Sequence, residues 1–238
     1  MKLRIMSFNT QHCLNCQTNR IDFKAFARVI NDLGADIVGL QEIRGIGRNR
    51  EEYDDQTGIL AELTGMHGYF ARAISFGGVD PFGNALLSRY PIENVSVIPI
   101  PDPEVRRFKG YYETRCVLKA KISAEGGLNV LVSHFGLNPD EHENAVETVE
   151  KVIDSAGTVL MGDFNMRPDN PLLDPVRAKL TDTACRFDAW ENGFTFPSWK
   201  PDKKIDYIFT SGDVNVIRAE IPACVVSDHR PYVADIEI

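Results

Sequence analysis

The sequence predicts an α/β chain with a large share of strand. Two patterns carry that expectation. Strand-like and helix-like runs alternate through the first half, and hairpin-type strands crowd the second. With 238 residues and 43% hydrophobic content, one large domain spanning 1–238 is expected, and no repeat, low-complexity tract or Pro/Ser-rich linker divides it.

In order, "LRIMSFN" (3–9) is strand-like and "DFKAFARVINDLG" (22–34) is helix-like. "DIVGLQE" (36–42) is strand-like, "EEYDDQTGILAELTG" (51–65) helix-like, and "NALLSRY" (84–90) strand-like. After "ENVSVIPI" (93–100) come "ETRCVLKAKI" (113–122), a turn at "SAEGG" and "LNVLVSHF" (128–135). This is a hairpin signal, because Gly126 and Gly127 tolerate the positive φ of a tight turn. A helix is expected over 139–157, with Pro139 in its first turn and Gly157 just beyond its apolar periodicity. Strands return at "TVLMGDF" (158–164), "KIDYIFT" (204–210), "VNVIRAEI" (214–221) and "YVADIEI" (232–238).

Composition narrows the function. The amino-terminal residues turn polar early and no apolar run reaches spanning length, so neither a signal peptide nor a membrane helix is expected, and a cytoplasmic protein is. Five cysteines, an odd number, argue against a disulfide framework. Cys13 and Cys16 form a C-x-x-C without a second pair or histidines at ligand spacing, which favours plain thiols over zinc. The net charge of -8 opposes nucleic-acid binding by the whole surface while leaving local basic patches open.

Polar residues of few types recur where strands end: Asn9, Glu42, His134, Asp163 and Asn165, Asp206, then Asp228 with His229. Loops beyond strand ends are where α/β sheets bind ligands, since rigid strands hold the side chains. Such a set points to a shared cavity.

Taken in order, "SFN", "LQE", "SHF", "GDFN", "IDYI" and "SDHRP" resemble the endonuclease/exonuclease/phosphatase superfamily, the deoxyribonuclease-like metal-dependent phosphoesterases. The resemblance implies a four-layer sandwich, two packed and mainly antiparallel β-sheets flanked by helices, with the active site at one edge. It also implies a divalent-metal-dependent phosphoester hydrolase.

That chemistry needs a cation, an activated water in line with the leaving oxygen, and donors for the non-bridging oxygens. Hard oxygen ligands suit Mg²⁺, with Mn²⁺ as the alternative. Glu42 is the expected first metal ligand. Asn9 supplies either a neutral oxygen to the metal or a hydrogen bond that orients Glu42, and Asp228 faces the metal side. By motif match Asp163 orients or deprotonates the attacking water, Asn165 donates to a phosphate oxygen, and His134 is a second phosphate-side donor. Strand alternation is expected to place residues 163 and 165 on one side and Phe164 in packing. His229 donates to phosphate or acts as acid or base, supported by Asp206. Asn84, Arg115, Arg44 and Trp199 form a second tier of substrate or support residues.

Basic loops follow the strands that carry the site: "RGIGRNR" (44–50), "RRFKGYYETR" (106–115) and "SWKPDKK" (198–204). They fit a phosphoester substrate, with a small molecule or lipid head group favoured over nucleic acid because of the acidic balance. A nuclease using the same centre is the alternative, and a non-catalytic phospho-ligand binding protein a third reading. No obligate protein partner is evident.

Overall fold

In a computed structural model, residues 1–48, 53–187, 189 and 193–238 are described. Two six-stranded sheets face each other. The first contains β1 (Lys2–Asn9), β4 (Ile37–Arg44), β5 (His67–Phe76), β6 (Asp80–Ser88), β13 (Asn215–Glu220) and β14 (Tyr232–Glu237), in the order β13-β14-β1-β4-β6-β5. The second contains β7 (Ile92–Pro99), β8 (Cys116–Ile122), β9 (Leu128–His134), β10 (Thr158–Asp163), β11 (Thr181–Asp182) and β12 (Asp206–Thr210), in the order β11-β12-β10-β9-β8-β7. A two-stranded ribbon, β2 (Leu14–Asn15) and β3 (Arg20–Ile21), follows β1.

Each large sheet has one parallel pair, β1 with β4 and β9 with β10, and its other pairings are antiparallel. The expected sandwich is therefore present. Helices α1 (Phe23–Asp32) and α2 (Gln56–Thr64) bury Phe26, Ile30 and Leu60 on the outer face of the first sheet, together with Phe8, Val38 and Leu40. Helices α3 (Pro139–Val152) and α4 (Asp174–Lys179) bury Val146, Val149 and Val176 on the outer face of the second, with Leu131, Leu160 and Phe209. Between the sheets, Ile5, Ile37, Leu118, Val132, Met161, Ile208 and Tyr232 interlock. The alternation is what divides the residues: Leu131 and Leu160 face α3, whereas Val132 and Met161 face the opposite sheet.

Local chemistry sets the boundaries. Helix α2 starts later than its apolar pattern because Asp55 caps it, accepting from the Gly58 N–H, and Gly65 ends it in the left-handed region. Glu51 and Glu52 of the expected helix lie outside the described residues. Helix α3 opens on a capping box of Asn138 and Glu141 with Pro139 in its first turn. It stops at Val152 rather than at 157, because Ile153 turns extended to feed β10 alongside β9. Gly126 and Gly127 do adopt positive φ in the β8–β9 turn.

Candidate active site

The strand directions converge on one edge. Asn9, His134 and Asp163 are the last residues of β1, β9 and β10, Asp206 is the first of β12, and Asp228 and His229 lie just before β14. Because β12 runs antiparallel to β10, its start meets the other's end, and Asp163 is the register partner of Asp206. Glu42 departs from expectation. It lies inside β4, which continues to Arg44, at an irregularity in the β4–β6 pairing, with φ of 59°. A left-handed glutamate costs about 1–2 kcal/mol, and a bulge of this kind re-aims a side chain that regular pleating would send elsewhere.

Asp163 is the hub. Its Oδ2 accepts from Asn9 Nδ2 at 3.1 Å and lies 3.5 Å from His134 Nε2 and 3.6 Å from His229 Nε2. The Asn9 amide nitrogen also donates to Glu42 Oε1 at 3.0 Å. The backbone N–H of Gln11 can only donate, and it reaches Asn9 Oδ1 at 3.1 Å, which fixes the amide orientation. The hydrogen bond to Glu42 expected of Asn9 is present, and its amide oxygen accepts from Gln11.

His229 Nδ1 pairs with Asp206 Oδ2 at 2.8 Å. Burial alone would depress this imidazole, but the carboxylates of Asp206 and Asp163 hold its pKa well above the ordinary histidine value. Burial pushes the Asp163 carboxyl up, His229 opposing and Asp206 reinforcing the shift. His134 goes the other way. Burial, Arg115 and His229 all depress it, so it is neutral. Arg115 Nη1 lies 2.9 Å from His134 Nδ1 and has no acceptor capacity, so Nδ1 accepts and the proton is on Nε2, facing Asp163. Arg115 also pairs with Glu113 at 2.6 Å.

Asn165 reaches the same cavity by a different route from strand alternation. Strand β10 ends at Asp163, and Asn165 is left-handed with φ of 51°. Its N–H donates to Asp163 Oδ1 at 2.9 Å, and its Nδ2 donates to the Phe135 carbonyl at 3.1 Å while lying 3.2 Å from His134 Nε2. Phe164 points into the outer core as expected, stacked on Phe135 and Tyr207.

Oxygen donors suited to a hard cation are present. Burial, with the Asp228 charge adding to it, pushes the Glu42 carboxyl up despite the Asn9 hydrogen bond, so two acids sit close enough to repel. A divalent cation between Glu42 and Asp228 would relieve that repulsion. Asp163, Asp206 and His229 also bring ligand atoms within 4.8 Å of one another. That trio is satisfied by its own imidazolium proton, which makes it the poorer seat.

The chemistry-bearing residues are drawn from both sheets and from segments that span the chain, and a sequence model described as "Endonuclease/Exonuclease/phosphatase family" matches residues 6–229. The chain belongs to that family. Family members are hydrolases acting on phosphoesters. The fold is shared with an endonuclease/exonuclease/phosphatase from Beutenbergia cavernae (TM-score 0.86, 22% identity, covering 100% of this chain and 72% of that one). It is shared with a mannosyl-6-phosphatase from Bacteroides thetaiotaomicron (TM-score 0.76, 17% identity, 99% and 100% covered) and a humanized TDP2 from D. rerio (TM-score 0.70, 16% identity, 100% and 99% covered). No curated protein sequence matches the chain.

The second-tier residues scatter. Asn84 points between the sheets, where its Nδ2 donates to the Cys116 carbonyl at 3.1 Å, so it ties the sheets together rather than facing a ligand. Arg44 lies over the Tyr53 ring, and Trp199 is exposed beside Asp228. Two supports carried no distinctive signal. Ser227 Oγ donates to the Asn9 carbonyl at 2.8 Å and lies 3.1 Å from Asp228 Oδ1, although its place in "SDHRP" could have marked it. Phe196 packs on the His229 ring with centroids 4.8 Å apart.

The basic loops are less basic than their composition. Arg107 pairs with Glu143 and Asp140, Arg106 lies over Tyr112, and Lys203 lies over Phe196. Lys204 is buried, 3.1 Å from Asp182, and so is not on the rim. Arg50 lies outside the described residues. All five cysteines are free thiols, and no helix among the described residues is long and apolar enough to cross a membrane.

Proposed function

We propose that this protein is a divalent-metal-dependent phosphoester hydrolase acting on a compact substrate in the cytoplasm. The observation that carries the reading is Asp163. One carboxylate, raised by burial, is held by Asn9, flanked by a neutral and a cationic imidazole, and backed by the Asp206–His229 pair. A cation bound by Glu42 and Asp228 would supply the charge that offsets the phosphoryl oxygens, with Mg²⁺ or Mn²⁺ fitting the oxygen set.

The residues then divide the work. Asp163 takes the proton of a water aimed at phosphorus, since a carboxylate with a raised pKa is a competent base near neutrality. Asn9 holds both Asp163 and Glu42, fixing the distance between base and cation seat. His229, kept protonated by Asp206, donates to a non-bridging oxygen and draws charge onto itself as it develops. His134 and Asn165 offer N–H groups on the other side of Asp163. The P–O ester bond breaks as the water oxygen bonds to phosphorus, and the departing alkoxide takes a proton from solvent, to which Asp163 returns the one it removed.

The net charge of -8, together with the pairing of Arg107 to Glu143 and Asp140 and the burial of Lys204, favours a compact ester over a polymer. The mannosyl-6-phosphatase among the structural neighbours is consistent with that preference. Hydrolysis of p-nitrophenyl phosphate and bis(p-nitrophenyl) phosphate should vanish with excess chelator and return with Mg²⁺ or Mn²⁺. Glu42→Gln should shift the metal titration to higher concentration. Full turnover in chelator would overturn the reading, and an unchanged titration would remove Glu42 from the cation seat.

A further inference from the structure

Beside the catalytic centre runs a groove of about 490 Å³ that the hydrolytic machinery does not use. Asp228 lines it together with Gln11, Gln17 and Asn19, with Leu14, Cys16 and Val225, and with Trp199. Among the described residues, no lysine or arginine lines it. Its composition is therefore three side-chain amides, one large aromatic face, two aliphatic side chains, a thiol and a single acid, Asp228, shared with the catalytic centre.

Both walls are held firmly. Gln11, His12 and Cys13 are three successive left-handed residues, a conformation costing about 1–2 kcal/mol at each non-glycine position. It persists because the turn is pinned from several sides. Gln11 N–H donates to Asn9 Oδ1 at 3.1 Å, Thr10 N–H to the Gln41 carbonyl at 3.2 Å, Gln56 Nε2 to the His12 carbonyl at 3.0 Å, and Cys16 N–H to the Val226 carbonyl at 2.9 Å. The strained turn is thus built onto Asn9, the residue that orients Glu42 and Asp163. Ser198 anchors the backbone beside Trp199. Its N–H donates to the Asp228 carbonyl at 2.7 Å, its Oγ donates to the Ser227 carbonyl at 2.5 Å, and its own carbonyl accepts from Arg230 Nε at 2.7 Å. Trp199 itself is 62% exposed, and among the described residues no ring or cation stacks on it.

We propose that this groove is the alcohol-side subsite and that it takes an uncharged polyhydroxylated group, a sugar or polyol, with its C–H face on the Trp199 indole. The inference rests on the phosphoester-hydrolase reading and names its substrate class. Amides offer a donor and an acceptor side by side, which matches hydroxyl groups. An exposed indole on an anchored backbone offers a large flat contact. A second phosphate is disfavoured there, because among the described lining residues no lysine or arginine is present to pair with it. A nucleic-acid strand, which brings a phosphate with every residue, is therefore a poorer fit to it than an uncharged group.

The test compares hexose 6-phosphates, nucleoside 5′-monophosphates and p-nitrophenyl phosphate as substrates for the full chain with Mg²⁺. Hexose phosphates should give at least a tenfold higher kcat/KM than nucleotides. Trp199→Ala, and Gln17→Ala combined with Asn19→Ala, should each erode the hexose-to-nucleotide ratio by tenfold or more, mostly through KM. Nucleotides equal to or better than hexose phosphates, or a ratio that Trp199→Ala leaves intact, would overturn the proposal. A separate binding measurement follows tryptophan fluorescence on titration with a hexose 6-phosphate in wild type and Trp199→Phe. A saturable change confined to wild type supports the groove, and its absence in wild type argues against it. If no ester of any kind is hydrolysed while that fluorescence change is present, the hydrolase reading has failed and the groove has not.

Discussion

At the scale of single residues, the centre is a problem of charge placed out of water. Asp163 and Asp206 are both fully enclosed, and two carboxylates so close are tolerable only because His229 is held protonated between them. Asp163→Ala and His229→Ala should each lower turnover about 10²-fold or more, as the loss of a base or of an electrostatic donor does. Thermal melts of the same variants separate chemistry from folding. Turnover within a fewfold of wild type in either would remove that residue from the mechanism. Asp206→Asn should cost less than His229→Ala, because the amide retains a hydrogen bond to Nδ1 while losing the charge that keeps the ring protonated.

At the scale of elements, the short motifs were legible because their chemistry and the strand ends coincide: "SFN", "SHF" and "GDF" finish β1, β9 and β10 where alternation predicted. Strand β5 was not legible. It is an edge strand whose first three residues are exposed and whose "HGYFARAISF" shows little of the apolar alternation of a buried strand. The bulge at Glu42 and the left-handed Asn165 were hidden as well, since backbone twists at polar residues leave no period to read. The same holds for Lys204, which composition assigned to a basic rim. Its Nζ instead donates to the Asp206 carbonyl at 3.2 Å, sits 3.4 Å from the Tyr207 ring centroid and faces Asp182 behind the His229 pair. Burial lowers its pKa to about 8, with Asp182 and Asp206 opposing and Arg177 assisting the fall. The folded state thus releases this proton before the unfolded chain does, so its contribution to stability rises with pH between about 8 and the ordinary 10.5. Relative to Lys204→Met, wild-type stability should gain on the order of 3 kcal/mol across that window. Denaturant midpoints of both proteins from pH 7.5 to 10.5 give the difference, and a pH-independent gap would mean that Lys204 does not titrate there.

At the scale of the whole molecule, the two ends of the chain meet. Strands β1 and β14 pair along six residues, from Lys2 with Glu237 to Ser7 with Tyr232, and the inter-sheet core mixes Leu3 and Ile5 with Val132, Met161 and Ile236. We propose from that mixing one folding unit over 1–238, for which calorimetry should show a single transition with equal calorimetric and van't Hoff enthalpies. Two resolved transitions would divide the chain. The same assembly bears on substrate scale. Arg107, Arg115 and Lys204 each have an acidic partner within the fold, and Arg106 and Lys203 lie over aromatic rings, so these five cations are poorly placed to grip a long backbone. For a duplex, each phosphate neutralised contributes about −0.9 to the slope of log K against log salt. Binding of duplex or single-stranded DNA should accordingly be weak, and hydrolysis of a compact ester should vary little with salt. Arg107→Ala should change neither strongly, because its guanidinium already answers Glu143 and Asp140. Rapid DNA cleavage with a steep salt slope, flattened by Arg107→Ala and unmatched by any small ester, would show instead that these pairs open to receive phosphates, and a nuclease using the same Asp163-centred site would then be the correct reading.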